Sequence, residues 1–245
     1  MEKSRFGLIG KNISYSFSRG YFAEKFEKLN LENHSYENFD LQSIEEFNGL
    51  LDANSAIKGF NVTIPYKQEI IPYLNKIDET ALQIGAVNTI KITKNNLIGY
   101  NTDVIGFQKS IETYLKPHHK RALILGTGGA SKAVAYVFES LEIDFLFVSR
   151  KPGKNQISYA DLNPKIMEDH TVIINCTPLG THPEIDKRPD ILYDFLSDKH
   201  LLFDLIYNPP KTSFLEAGEA KGATIVNGLK MLELQAEASW EIWNS

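Results

Sequence analysis

The sequence predicts an α/β protein of two units, the second a Rossmann-type, doubly wound sheet, and three observations carry that prediction. Short apolar runs alternate with amphipathic stretches along the chain. A strand-like run enters a glycine turn near residue 126 and leaves it as a helix. A polar, proline-bearing segment, KPHHKR at 116–121, separates two such alternating regions, and 245 residues suffice for two modest domains.

Taken in order, RFGLIG at 5–10 reads as a strand, and 18–30 as a helix with Phe22, Phe26 and Leu29 at helical spacing. A strand at 34–40, a helix at 43–52 and a strand at 57–64 follow. Residues 86–93 and 97–102 form a hairpin around Lys94, Asn95 and Asn96, which suit a turn. A helix at 104–115 leads into the joint, placed at 103–120. Further strands fall at 121–126, 144–149, 171–175, 201–205 and 223–226. The last stretch, 229–243, puts Leu229, Leu232, Ala236, Trp240 and Trp243 on one face of a packed helix.

Composition narrows the function. A hydrophobic share of 42% and a charged share of 23% describe a folding chain rather than a disordered one. A net charge of -5 without a basic stripe argues against nucleic-acid binding. The apolar stretch Phe6 to Ile9 is too short for a signal peptide, and no run approaches a membrane span. Cys176 is the single cysteine, so no internal disulfide forms, and no histidine or cysteine spacing suits a metal. A cytoplasmic, metal-free protein is expected, with Cys176 a buried small hydrophobe and His118 and His119 solvated linker residues.

RALIL, GTGGAS and KAVAYVFESL follow one another as strand, glycine turn and helix, the order of a dinucleotide site. Gly126 and Gly128 let the backbone approach a pyrophosphate, and the helix N-terminus adds unpaired N–H groups. Ser131 holds the third glycine position. An NAD site usually carries an acidic residue at the end of the next strand, but here FVSRKPGK supplies Ser149, Arg150, Lys151 and Lys154. Those residues suit the 2′-phosphate of NADP.

In GFNVTIPYK at 59–67, strand alternation puts Phe60, Val62 and Ile64 on one face and Asn61 and Thr63 on the other. Pro65 ends the strand and Lys67 follows it, at a strand end where α/β proteins build sites. Asn88, Asn101 and Asp103 punctuate strand-like sequence and suit a polyol. Ser16 and Ser18 could both donate to a carboxylate, or Ser18 could cap the following helix.

Several motifs in order resemble the shikimate dehydrogenase family: NVTIPYK at 61–67, GAVNT at 85–89, GYNTD at 99–103, GTGGA at 126–130, NCTPLG at 175–180, DLIYNPPKT at 204–212 and NGLKMLELQA at 227–236. The resemblance spans residues 7 to 240. It implies NADPH-dependent reduction of 3-dehydroshikimate to shikimate, a step of chorismate and aromatic amino acid biosynthesis, by a monomer or homodimer. It further implies a substrate-binding catalytic domain of 1–103 with 229–245, the C-terminal helix returning to it, and an NADP-binding domain of 104–228. By position, Lys67 is the general acid/base with Asp103 its partner. Ser16, Ser18 and Tyr207 hold the substrate carboxylate, and Thr63, Asn88, Asp103 and Gln235 the ring hydroxyls. Gly126, Thr127, Gly128, Gly129 and Ala130 cradle the pyrophosphate, Ser149 to Lys154 the adenosine phosphate, and Leu205, Gly228 and Met231 the nicotinamide side. The family's HSxSP reads YSFSR here, so Tyr15 stands for histidine and Arg19 for proline.

Overall fold

The computed structural model describes residues 4–14, 16–54, 56–94 and 96–245. Asn95 of the expected hairpin turn and Tyr15 of the YSFSR segment lie outside them. Two compact units are present, Met1–Thr102 with Ala236–Ser245, and Asp103–Gln235. Among the described residues no helix is long and apolar enough to cross a membrane.

The first unit contains β1 (Ser4–Gly10), α1 (Phe17–Lys28), β2 (His34–Asp40), α2 (Glu46–Asp52), β3 (Ile57–Val62), β4 (Lys76–Ile77), α3 (Glu79–Ile84), β5 (Thr89–Ile92) and β6 (Leu97–Tyr100). Its sheet runs β2-β1-β3-β5-β6-β4. Strand β1 pairs in parallel with β2 and β3, whereas β5 is antiparallel to both β3 and β6, as the hairpin reading anticipates. Both faces of β1 are buried, which explains its unbroken apolar run. Ile9 packs with Phe47, Phe60 and Ile70. Phe6 and Leu8 pack with Phe22, Phe26 and Trp243. Ile64 departs from the alternation: the strand ends at Val62, the chain turns, and Ile64 is 64% exposed.

The second unit contains α4 (Asp103–Ile111), β7 (Arg121–Leu125), α5 (Gly129–Ser140), β8 (Asp144–Val148), β9 (Gln156–Ile157), α6 (Pro164–Asp169), β10 (Val172–Asn175), β11 (Leu201–Asp204), α7 (Ser213–Glu219) and β12 (Thr224–Val226). Its six strands are ordered β12-β11-β10-β7-β8-β9 and pair in parallel throughout. This is the doubly wound order, with β7 at the centre and the direction of winding reversing between β7 and β10. Leu123, Leu125, Ile173 and Leu202 face Phe214 and Leu215 on one side. Phe107 of α4 makes edge contacts with Phe138 and Phe203.

The last helix, α8 (Leu229–Asn244), contributes its first residues to the second unit and the rest to the first. Within the first unit, Trp243 Nε1 donates to the Ile90 carbonyl at 3.0 Å. Ala236 and Trp243 are buried as their spacing predicts, but Leu229, at the first turn, is 38% exposed. His119 also departs from expectation. It is 4% exposed, with Nδ1 accepting from Lys116 N at 3.0 Å and Nε2 3.1 Å from the Lys199 carbonyl.

Candidate active site

In the first unit the polar residues gather at the C-terminal ends of β1 and β3. Lys11 N donates to the Ile64 carbonyl and Thr63 N to the Ile9 carbonyl, which sets Lys11, just after β1, beside the turn after β3. Val87 N donates to the Lys67 carbonyl at 2.7 Å, and Val62 N to the Asn88 carbonyl at 2.8 Å. Thr63, Lys67 and Asn88 therefore share one edge of the sheet, Thr63 and Lys67 half-buried and Asn88 buried. Tyr66 anchors the turn, its hydroxyl donating to the Leu41 carbonyl at 2.7 Å.

The two serines differ. Ser16 is the N-cap of α1, its Oγ accepting from Ser18 N at 3.2 Å, so the cap is Ser16 and not Ser18. Its hydroxyl proton stays available to a ligand. Ser18 lies in the first turn of α1 and is buried.

Behind this edge sits a buried network of neutral groups. Asn61 Nδ2 reaches Ser239 Oγ at 2.9 Å, Thr89 Oγ1 at 3.2 Å and the Asn88 carbonyl at 3.3 Å. Its Oδ1 accepts from the Tyr36 hydroxyl at 2.8 Å. Asn88 Oδ1 accepts from Thr102 N at 2.7 Å, and Asn101 Nδ2 donates to the Ala86 carbonyl at 2.9 Å. Thr102 and Asn101 are thereby fixed just before Asp103, which opens α4 and is 6% exposed.

In the second unit the glycine turn leaves β7 at the reversal point. Gly126 has φ +100, and a Cβ there would stand 3.2 Å from Thr177 Cγ2 and 3.3 Å from the Cys176 carbonyl. A side chain there would be strained by the backbone and crowded by these neighbours. Nothing stands within 4 Å of a Cβ built on Gly128, the N-cap of α5, where no side chain caps the helix. Thr127 and Gly128 are exposed and Gly129 and Ala130 half-buried. Open space over uncapped N–H groups fits a dinucleotide's pyrophosphate. Ser131 is buried and donates to the Gly128 carbonyl at 2.7 Å, a use for the third position that glycine could not supply.

Gly126 N donates to the Val148 carbonyl at 2.9 Å, tying the turn to the end of β8. There Ser149, Arg150 and Lys151 line a shallow open depression, and Lys154 is exposed on the same loop. Cations and a hydroxyl, with no acid among them, fit a ribose 2′-phosphate. Leu205 and Tyr207 follow β11, both half-buried. Gly228 packs so closely on Leu205 that a Cβ would meet its carbonyl oxygen at 2.1 Å. Met231 and Gln235, on the first turns of α8, both lie against Gly106 of α4.

Residues 8–90 match the shikimate dehydrogenase substrate binding domain. A shikimate dehydrogenase (NADP(+)) of Clostridium botulinum is 39% identical, the match covering 97% of this chain and 95% of that protein. The chain belongs to the shikimate dehydrogenase family. A crystal structure of shikimate dehydrogenase in complex with NADP+ has the same fold, with a TM-score of 0.88 and 35% identity over 98% of this chain and 90% of that one. The Thermus thermophilus shikimate 5-dehydrogenase, solved with NADP(H) and shikimate, has a TM-score of 0.86 and 29% identity over 98% and 92%.

Sequence reasoning gave no role to two polar residues that open the motifs at 175–180 and 204–212. Asp204 and Asn175 end the otherwise apolar strands LLFD and VIIN, and both are fully buried. A polar residue closing an apolar strand is a signal that could have marked them. Burial pushes the Asp204 carboxyl up to about 6 against the pull of its hydrogen bonds, and pushes the neighbouring Cys176 thiol up as well. Cys176 is half-buried rather than buried. Tyr36 and Ser239 carried no sequence signal.

Proposed function

We propose that this chain catalyses NADPH-dependent reduction of 3-dehydroshikimate to shikimate, acting on a small molecule without nucleic-acid or membrane partners, as a monomer or homodimer in the cytosol. The observation that carries the reading is Lys67, held at the end of β3 beside Thr63 and Asn88 by the Val87–Lys67 backbone bond. NADPH, when bound, supplies the hydride. As the ketone becomes an alcohol, negative charge develops on its oxygen, and Lys67 supplies both a positive charge and the proton. In the reverse direction the same group takes the proton back, with Asp103 as the second catalytic side chain.

Ser16, Ser18 and Tyr207 hold the carboxylate in this reading, and Thr63, Asn88, Asp103 and Gln235 the ring hydroxyls. Gly126 to Ala130 carry the pyrophosphate, Ser149, Arg150, Lys151 and Lys154 the 2′-phosphate, and Leu205, Gly228 and Met231 the nicotinamide side. The test is the absorbance change at 340 nm with shikimate or quinate against NADP or NAD, in all four combinations. Turnover is expected with shikimate and NADP. A preference for quinate with NAD, or no turnover in any combination, rejects the proposal.

A further inference from the structure

Asp204 has no solvent exposure, and three donors converge on its carboxyl. Thr212 Oγ1 donates to Oδ2 at 2.6 Å, and Asn175 Nδ2 and Ile206 N donate to Oδ1 at 3.0 Å each. The donors come from separate pieces of backbone. Ile206 and Thr212 bracket the segment that carries Tyr207. Asn175 closes β10, and its Oδ1 accepts from Thr177 N at 3.0 Å and Thr177 Oγ1 at 2.7 Å. Thr177 in turn is the residue packed against Gly126. Gly228 N donates to the Ile206 carbonyl at 3.0 Å, which ties in the start of α8.

A carboxylate is a costly choice for a buried acceptor, since a neutral amide loses less on leaving water. An asparagine, however, has one acceptor oxygen and would turn an N–H towards the third donor. Two acceptor oxygens let all three groups donate at once, whereas an amide would force the Thr212 hydroxyl to accept instead. The chemistry of the residue is therefore matched to holding the loops after β10 and β11 in one fixed arrangement beside the glycine turn.

We propose that Asp204 is a positioning residue for the nicotinamide end of the cofactor, touching neither cofactor nor substrate and acting through Asn175, Ile206 and Thr212. This rests on the reading above that the chain binds NADPH with Leu205, Gly228 and Met231 on the nicotinamide side. The test compares dissociation constants for NADPH and for 2′,5′-ADP, which is the adenosine end alone, in the full chain by calorimetry. Asp204→Ala is expected to weaken NADPH at least about tenfold while 2′,5′-ADP stays within about twofold. Asp204→Asn, which keeps an acceptor for Ile206 and Asn175, recovers part of the loss. Should Asp204→Ala fail to fold, Thr212→Val removes one donor to Asp204 together with the N-cap of α7, and a loss of about two- to fivefold confined to NADPH is expected. Equal weakening of both ligands, or unchanged NADPH affinity in the folded variants, overturns the proposal. Failure of the unaltered protein to bind NADPH defeats the cofactor reading itself, and this inference with it.

Discussion

The two units solve the same problem, burying polar groups behind a candidate ligand edge, with opposite chemistry. The first uses amides and hydroxyls alone: Asn61, Asn88, Thr89, Thr102 and Ser239, with the Tyr36 hydroxyl held neutral by burial. The second uses a carboxyl, Asp204, and buries His119 and His170 as well. A neutral network fixes geometry without titrating. A charged hub gathers more donors but makes the unit respond to pH. Lys67, the proposed proton donor, stands in the unit with the neutral network.

The largest expected effect tests that division of labour. Lys67→Ala should cut turnover at least about 100-fold, the scale of a lost general acid, or roughly 3 kcal/mol of barrier. NADPH affinity and melting temperature should stay put. Turnover near that of the unaltered protein would reject Lys67 as the acid.

Next comes the neutral network itself. Asn61→Ala takes the Asn61 acceptor from the Tyr36 hydroxyl and one bond each from Ser239 Oγ, which keeps Thr89, and the Asn88 carbonyl, which keeps Val62 N. At about 1–3 kcal/mol for an unsatisfied buried group, with partial relaxation, a loss of about 3 kcal/mol is expected in urea unfolding. The loss should be the same at about pH 5 and about pH 8, because nothing in the network titrates between them. A strongly pH-dependent loss would erase the contrast between the units.

The sequence made the frame of both units legible and their bracing illegible, for a physical reason. Strand β3 and the turn from β7 into α5 announce themselves through local signals, period-two alternation and glycine. Strands β4 and β9 have two residues each and α3 has six, too few for a periodic pattern to rise above chance. The candidate site residues were named from motifs that keep their order. Tyr36 and Ser239 were not, because their partners are distant in sequence: Tyr36 meets Asn61 from a different strand of the sheet, and Ser239 arrives from the last helix. Asp204 stands inside one of those motifs, but its burial depends on strands the motif does not include. His119 misled for the same reason: KPHHKR looks solvated until Lys199 closes over it.

A smaller effect separates the charged hub from its surroundings. Asp204 titrates at about 6 when folded, above its unfolded value of 3.8. A raised pKa means its favourable contribution is complete below the unfolded value and is lost as pH rises through the folded one. His119 and His170 are pushed below their ordinary 6.5 by burial, so they contribute above that value and lose it as pH falls. Cys176 and Tyr193, which face Asp204, are themselves pushed up and stay neutral over this range. The difference in unfolding free energy between the unaltered protein and Asp204→Asn cancels the histidines. It should shift by about 2 kcal/mol in favour of the asparagine variant between about pH 4 and about pH 7.5. A flat difference would mean that Asp204 is charged at no cost.

The smallest expected effect asks whether the second unit's exposed cations discriminate as its buried carboxyl positions. Arg150 is exposed and lies with Ser149 and Lys151 around an open depression at the end of β8, so water and salt screen it. A charge-assisted hydrogen bond there is worth less than the same bond in the interior, and about tenfold, or roughly 1.4 kcal/mol, is a reasonable scale. Arg150→Ala should raise the KM for NADPH about tenfold and leave that for NADH nearly unchanged, since NADH has no 2′-phosphate. The ratio should shrink with added salt, as expected of an exposed contact. Equal effects on the two cofactors would remove Arg150 from the phosphate site and leave Ser149 and Lys151 as the residues to test.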